Sequence, residues 1–179
     1  ETPDFYPNKL ISNFLYKGPV LEWYLWIKLK LEKNYEPIEK LIPKQATILD
    51  LGCGYGFLCY MLHFMSKDRL ITGVDYDEDK IETANHCYSK SDQVQFVCAD
   101  ITSYPVAVSD VIILNDVLHY LEPNQQLALL EQSITALNPG GRLIVREGNS
   151  DLKKRHQGTR LTEFMSVKLF KFNRSAHDL

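Results

Sequence analysis

From residue 47 onward, apolar runs of about half a dozen residues alternate with longer stretches in which apolar positions recur every three or four. TILDLG (47–52), LITGVD (70–75), VQFVCAD (94–100), DVIILN (110–115) and RLIVRE (142–147) are rich in β-branched residues and leucine. Most are apolar on both faces, as strands are when helices cover both sides of a parallel sheet. DEDKIETANHCY (77–88) predicts a helix capped by Asp77, with Ile81 and Ala84 on one face. EPNQQLALLEQSITALNPGG (122–141) predicts another, with Pro123 in its first turn. Its inward row is Leu127, Leu130, Ile134 and Leu137, and Pro-Gly-Gly stops it. Strand, helix, strand, repeated, requires right-handed crossovers, so the fold class expected is α/β with a doubly wound, mostly parallel sheet.

Residues before 46 follow a different pattern. GPVLEWYLWIKLKLEKNYEPIEKLIP sets Val20, Tyr24, Ile27, Leu31 and Tyr35 on one helical stripe, with Leu21, Leu25 and Leu29 beside it. Trp23 and Trp26 fall on other faces, so the apolar surface is wide. This divides the chain into a helical cap (1–45) and a sheet domain (46–179). The cap helix is expected to pack against the sheet domain or to close over its ligand. The aromatics together with Lys28, Lys30 and Lys33 also suit peripheral contact with a membrane surface.

Composition narrows the class. Apolar residues make up 45% of the 179 and charged residues 24%, ordinary for a globular domain with a full core. No window approaches the ~20 apolar residues of a membrane span. Four cysteines (Cys53, Cys59, Cys87, Cys98) follow no metal-ligand spacing and read as reduced thiols of a cytoplasmic protein, with no metal expected. The net charge of −3 conceals a basic end: Lys153 to Arg174 holds seven basic residues and one acid. That end reads as a solvated face or as a surface for an anionic partner.

The candidate chemistry begins at ILDLGCGYGF (48–57). Its glycines follow the first strand and open a helix, where open α/β sheets bind ligands. The spacing is G-x-G-x-G, and Phe57 stands where a dinucleotide fingerprint has its third glycine. A carboxylate therefore fits this bend better than a pyrophosphate. Asp75 ends the second strand, where a carboxylate can accept from both hydroxyls of a ribose. Asp100 ends the third, where it can meet an adenine amino group while Ile101 packs on the ring.

ILDLGCGYG, VDYDEDKIETA, VCADI, NDVLHYL and LNPGGRLIV, in this order, resemble the motifs of class I S-adenosylmethionine-dependent methyltransferases of the small-molecule type. The resemblance spans residues 46–147 and implies a Rossmann-like methyltransferase fold with S-adenosylmethionine as cofactor. By position, it implies that Asp50, Gly52, Cys53, Gly54 and Gly56 surround the methionine moiety. Asp75 holds the ribose with Tyr76 against the adenine, and Asp100 and Ile101 bind the adenine edge. Asn115, with Asp116 behind it, lies where a backbone carbonyl meets the methionine amine. The family's final antiparallel strand pair has no counterpart, which implies a domain cut short or drawn from a longer chain. YKGPVLEWYLWIKLKLEKNY and RHQGTRLTEF further resemble segments fused in some bacterial polypeptides to lipid acyltransferase or exporter modules.

A sulfonium methyl is already electrophilic, so such a site must mainly align the reactants and, for an acidic acceptor, remove a proton. His119 follows the fourth strand and is the candidate base, though a residue filling space below the cofactor would also sit there. Tyr120 and Tyr16 are weaker candidates, and Arg146, Glu147 and Arg160 could meet a polar substrate group. The function expected is methyl transfer to a small-molecule or lipid-like acceptor. Its rivals are a catalytically inactive cofactor-binding module and an NAD-dependent oxidoreductase. Nucleic acid is not an expected partner, because no Asn/Asp-Pro-Pro-aromatic signature follows the fourth strand.

Overall fold

A computed structural model describes residues 5–32 and 35–148. Strands β1 (Ala46–Leu51), β2 (Arg69–Asp75), β3 (Val94–Cys98), β4 (Ser109–Asn115) and β5 (Leu137–Arg146) form one sheet in the order β3-β2-β1-β4-β5. All four pairings are parallel. From β1 the chain runs outward through β2 and β3, then returns to lay β4 on the other side of β1. That reversal opens a crevice beyond the carboxyl ends of β1 and β4, the usual ligand position in such sheets. Everything expected of the chain after residue 148, including the final strand pair, Arg160 and the basic cluster, lies outside the described residues.

Alternate side chains of each strand enter two cores. Ile48, Ile71, Val94, Phe96, Val111 and Ile113 face α4 (Phe57–Met65) and α5 (Glu78–Asn85). Leu49, Leu51, Val74, Ile112 and Leu114 face Leu129 of α6 (Pro123–Thr135) and the turns after β3 and β4. Eight of the nine residues of α4 are buried. A helix apolar all round must be covered all round, and Leu10 of α1 (Phe5–Asn13), Phe14 just after it, and Leu21 and Leu25 of α2 (Pro19–Glu32) join the core on its outer side. The N-terminal helices therefore share the core of the sheet. Arg69, wholly buried, ties these layers together: it donates to the carbonyls of Ile42, Pro43 and Leu62 and to the carboxylate of Glu39 on α3 (Tyr35–Lys40).

Three details depart from the sequence pattern. On α6 the buried positions are Leu129 and Ser133; of the expected row, Leu130 and Leu137 pack partly buried against the core, while Leu127 and Ile134 are 58% and 60% exposed. Residues 127–130 are all apolar, so periodicity alone leaves the rotation open. Ser133 satisfies its hydroxyl on the carbonyl of Leu129, which lets it face the core. The stripe predicted near the N-terminus is likewise rotated. Leu21, Tyr24 and Leu25 are buried, whereas Val20, Trp23 and Trp26 are about half exposed, and Tyr35 belongs to the separate α3. Finally, β5 begins at Leu137 rather than 142, because Leu137 pairs with Ser109 before an irregularity at Asn138–Gly141 and pairing resumes at Arg142. No described helix is long and apolar enough to cross a membrane.

Candidate functional site

The glycine bend is held by backbone bonds to the next strand. Amides of Gly52 and Cys53 both donate to the carbonyl of Val74, at 2.8 and 3.0 Å, and that of Gly56 returns to Cys53 at 3.0 Å. Gly52 and Gly54 have φ of +82° and +56°, the left-handed region that disfavours a side chain. Their surroundings differ. A Cβ on Gly52 would stand 2.4 Å from Val117 Cγ2, in the turn after β4, whereas a Cβ on Gly54 would meet nothing within 4 Å. Gly52 is thus required by packing, and Gly54 is where the backbone faces open space. α4 starts directly behind the bend with no side chain capping its first amides, the condition under which a helix start attracts an anionic group.

The acids at the strand tips are placed unequally. Asp75 is 7% exposed; its Oδ2 accepts from Gly54 N–H at 2.8 Å and its Oδ1 from Asp77 N–H at 3.0 Å. A carboxylate has about four lone-pair sites, so capacity for two more donors remains. Tyr76 beside it is exposed. Asp100 receives both the N–H and the hydroxyl of Thr102 on Oδ1 at 2.8 Å, leaving Oδ2 for another donor. Ile101 is 7% exposed and packed into the core with Val74 and Val117. Asn115 ends β4, next to β1, with its Oδ1 buried and without a partner. A buried acceptor left unpaired is costly unless a ligand supplies a donor.

Asp50 lies deeper than its neighbours. It is 2% exposed and accepts from the Cys59 thiol at 3.2 Å. Burial, reinforced by nearby Asp75 and opposed by the thiol bond, pushes its carboxyl up to about 7. Burial likewise raises the thiol of Cys53 in the bend. Among the described residues no group of His, Cys, Asp and Glu could hold a metal ion.

The turn after β4 is clasped by the end of β5. Asp116 takes a left-handed conformation, φ +55°, and pairs with Arg146 through its backbone N–H and its carboxylate. Glu147 Oε1 accepts from the amides of Val117 and Leu118 at 2.9 and 2.7 Å, and Oε2 lies 2.8 Å from His119 Nδ1. Arg146 and Glu147 thus hold the turn that carries His119, a role the sequence did not reveal because the partners lie about 30 residues apart. His119 stays partly exposed, its ring centroid 4.0 Å from that of Tyr120. Tyr16, by contrast, donates its hydroxyl to the carbonyl of Thr83 on α5, and burial pushes its phenol up to about 12. It braces a helix.

A family model described as a methyltransferase domain matches residues 42–171. Carboxy-S-adenosyl-L-methionine synthases are similar in sequence. That of Campylobacter concisus is 28% identical over 64% of this chain and 49% of its own length. That of Vibrio cholerae is 32% identical over 61% and 46%. The chain spans about half the length of the curated relatives it matches. Among solved structures, human N-acetylserotonin methyltransferase, in complex with S-adenosylmethionine, aligns with a TM-score of 0.57 and 25% identity over 86% of this chain and 45% of that one. The N-methyltransferase NodS of Bradyrhizobium japonicum aligns with a TM-score of 0.58 and 22% identity over 71% and 72%, a likeness of fold. With the five-stranded parallel sheet and the glycine bend at its switch point, these matches lead to one conclusion: the chain belongs to the class I S-adenosylmethionine-dependent methyltransferase family.

Proposed function

We propose that this chain binds S-adenosylmethionine across the β1–β4 crevice and directs its methyl group to a small-molecule or lipid-like acceptor. The observation that carries this reading is the convergence on one bend of an open glycine backbone (Gly54), a carboxylate with spare acceptor capacity (Asp75) and an unpaired buried carbonyl oxygen (Asn115). The residues suited to hold the group are the uncapped first amides of α4 for its carboxylate, Asn115 for its ammonium, Asp75 for its ribose and Asp100 for its adenine. When bound, it supplies an electrophilic methyl on sulfur. The chain's own contribution is then positioning, exclusion of water and removal of a proton from the acceptor. For the last task, Glu147 takes the Nδ1–H of His119, which leaves Nε2 as the basic nitrogen of a partly exposed imidazole.

Calorimetry with S-adenosylhomocysteine and NADH tests the cofactor: the former should bind and the latter should not, and tighter binding of NADH refutes the reading. Methyl-labelled S-adenosylmethionine incubated with fractionated extract tests turnover. Cofactor binding without transfer of label to any fraction would mark a binding module. The similarity to carboxy-S-adenosyl-L-methionine synthases supports a second reading, formation of that compound, which mass spectrometry of the nucleoside products would reveal.

A further inference from the structure

Asp50 is the buried acid that the transfer chemistry leaves without a task. Its neighbours are the Cys59 thiol from α4, Cys53 in the bend and the Asp75 carboxylate from β2; across β4 it faces Ile113. It forms no ion pair among the described residues, and the chain from Leu51 to Ser66 contains no Asp, Glu, Lys or Arg. Of the two carboxylates under one bend, at 2% and 7% exposure, neither is held in a salt bridge among the described residues. A buried charge in that position is relieved either by a proton or by a positive ligand.

Resting on the cofactor reading above, we propose that ligand binding at this bend is proton-linked: Asp50 keeps its proton while the site is empty and releases it to solvent when the ammonium or sulfonium of the ligand arrives. The O–H bond of the carboxyl breaks, its electron pair stays on the carboxylate, and the buffer takes the proton. The ligand's positive charge takes the place of the proton's beside Asp50. An uncharged adenosyl fragment without the amino-acid chain offers no such replacement.

The test is calorimetry of the whole chain with S-adenosylmethionine, S-adenosylhomocysteine and 5′-methylthioadenosine, in buffers of different ionisation enthalpy. With a carboxyl titrating near 7, the two amino-acid-bearing ligands should release about half a proton each at pH 7 and close to a whole one at pH 5.5, where Asp50 of the empty site is fully protonated and the ligand's own α-amine stays charged. Methylthioadenosine should release none at either pH. Asp50→Asn should abolish the release. Should that variant fail to fold, the rise in release from pH 7 to pH 5.5 on the unaltered chain carries the same information. Binding heats independent of buffer at pH 7 overturn the linkage and leave the cofactor reading intact. Absence of heat with all three ligands overturns both.

Discussion

Replacing Gly52 and Gly54 by alanine separates the two jobs of the bend. Both residues have positive φ, so each alanine meets a backbone cost of about 1–2 kcal/mol. At Gly52 the new Cβ would also lie 2.4 Å from Cγ2 and 2.9 Å from Cβ of Val117, which is itself 8% exposed in the second core. Overpacking of that kind adds about 1–3 kcal/mol. Gly52→Ala should therefore destabilise by roughly 2–5 kcal/mol, the sum of the two costs, and Gly54→Ala by roughly 1–2, the backbone cost alone. In a chain of this size each kcal/mol lowers Tm by about 2–4 °C.

Val117→Ala would remove the two methyls and should return part of the Gly52 penalty, a coupling of at least about 0.5 kcal/mol in a double-mutant cycle. The order should invert for ligand. At Gly54 the methyl enters the open space in front of the bend, so S-adenosylhomocysteine affinity should fall about tenfold or more, a loss of at least about 1.4 kcal/mol. Urea denaturation measures the first pair of effects and calorimetry the second. Equal destabilisation by the two alanines with no coupling to Val117 would refute the packing argument. Unchanged affinity in Gly54→Ala would refute the placement of the ligand.

Three further outcomes are expected. Arg69→Met strips a wholly buried guanidinium from Glu39 and three carbonyls and should cost about 3–5 kcal/mol by thermal denaturation, the range for breaking a buried pair. Tyr16→Phe should cost only about 1 kcal/mol and leave S-adenosylhomocysteine affinity unchanged, since its hydroxyl serves Thr83; lost affinity would return Tyr16 to the site. Stability should also be nearly flat between about pH 4 and 6.5, because two buried groups titrate in opposite senses. Asp50, raised to about 7 from 3.8, holds a proton in the folded chain that gives about 4 kcal/mol below pH 4, lost as pH rises towards 7. His63, lowered to about 4 from 6.5 chiefly by burial, gives about 3 kcal/mol above pH 6.5, lost as pH falls towards 4. Urea titrations of Asp50→Asn should unmask the histidine slope, with stability falling as pH drops; a variant as flat as the parent contradicts the assignment.

The sequence alone determined the sheet and the glycine bend at its switch point. Strand runs apolar on both faces admit little other than a covered parallel sheet, and the starts of β2, β3 and β4 lie within one residue of those read from the chain. A glycine bend after β1 and acids at later strand tips are local signals, so they survive without coordinates. What depended on distance along the chain stayed hidden. The rotation of α6 waited on which of Leu127, Leu129 and Leu130 met the sheet, and that of α2 on the shape of α4 beneath it. The reason for Gly52 is Val117, 65 positions later, and the partner of His119 is Glu147, at the end of another strand. Periodicity encodes the exposure of a single element, whereas these choices are settled only when two elements compete for the same volume or share the same proton. For Asp50 the letter in the sequence is an ordinary acid; its burial beside Asp75 makes its charge depend on what else occupies the bend.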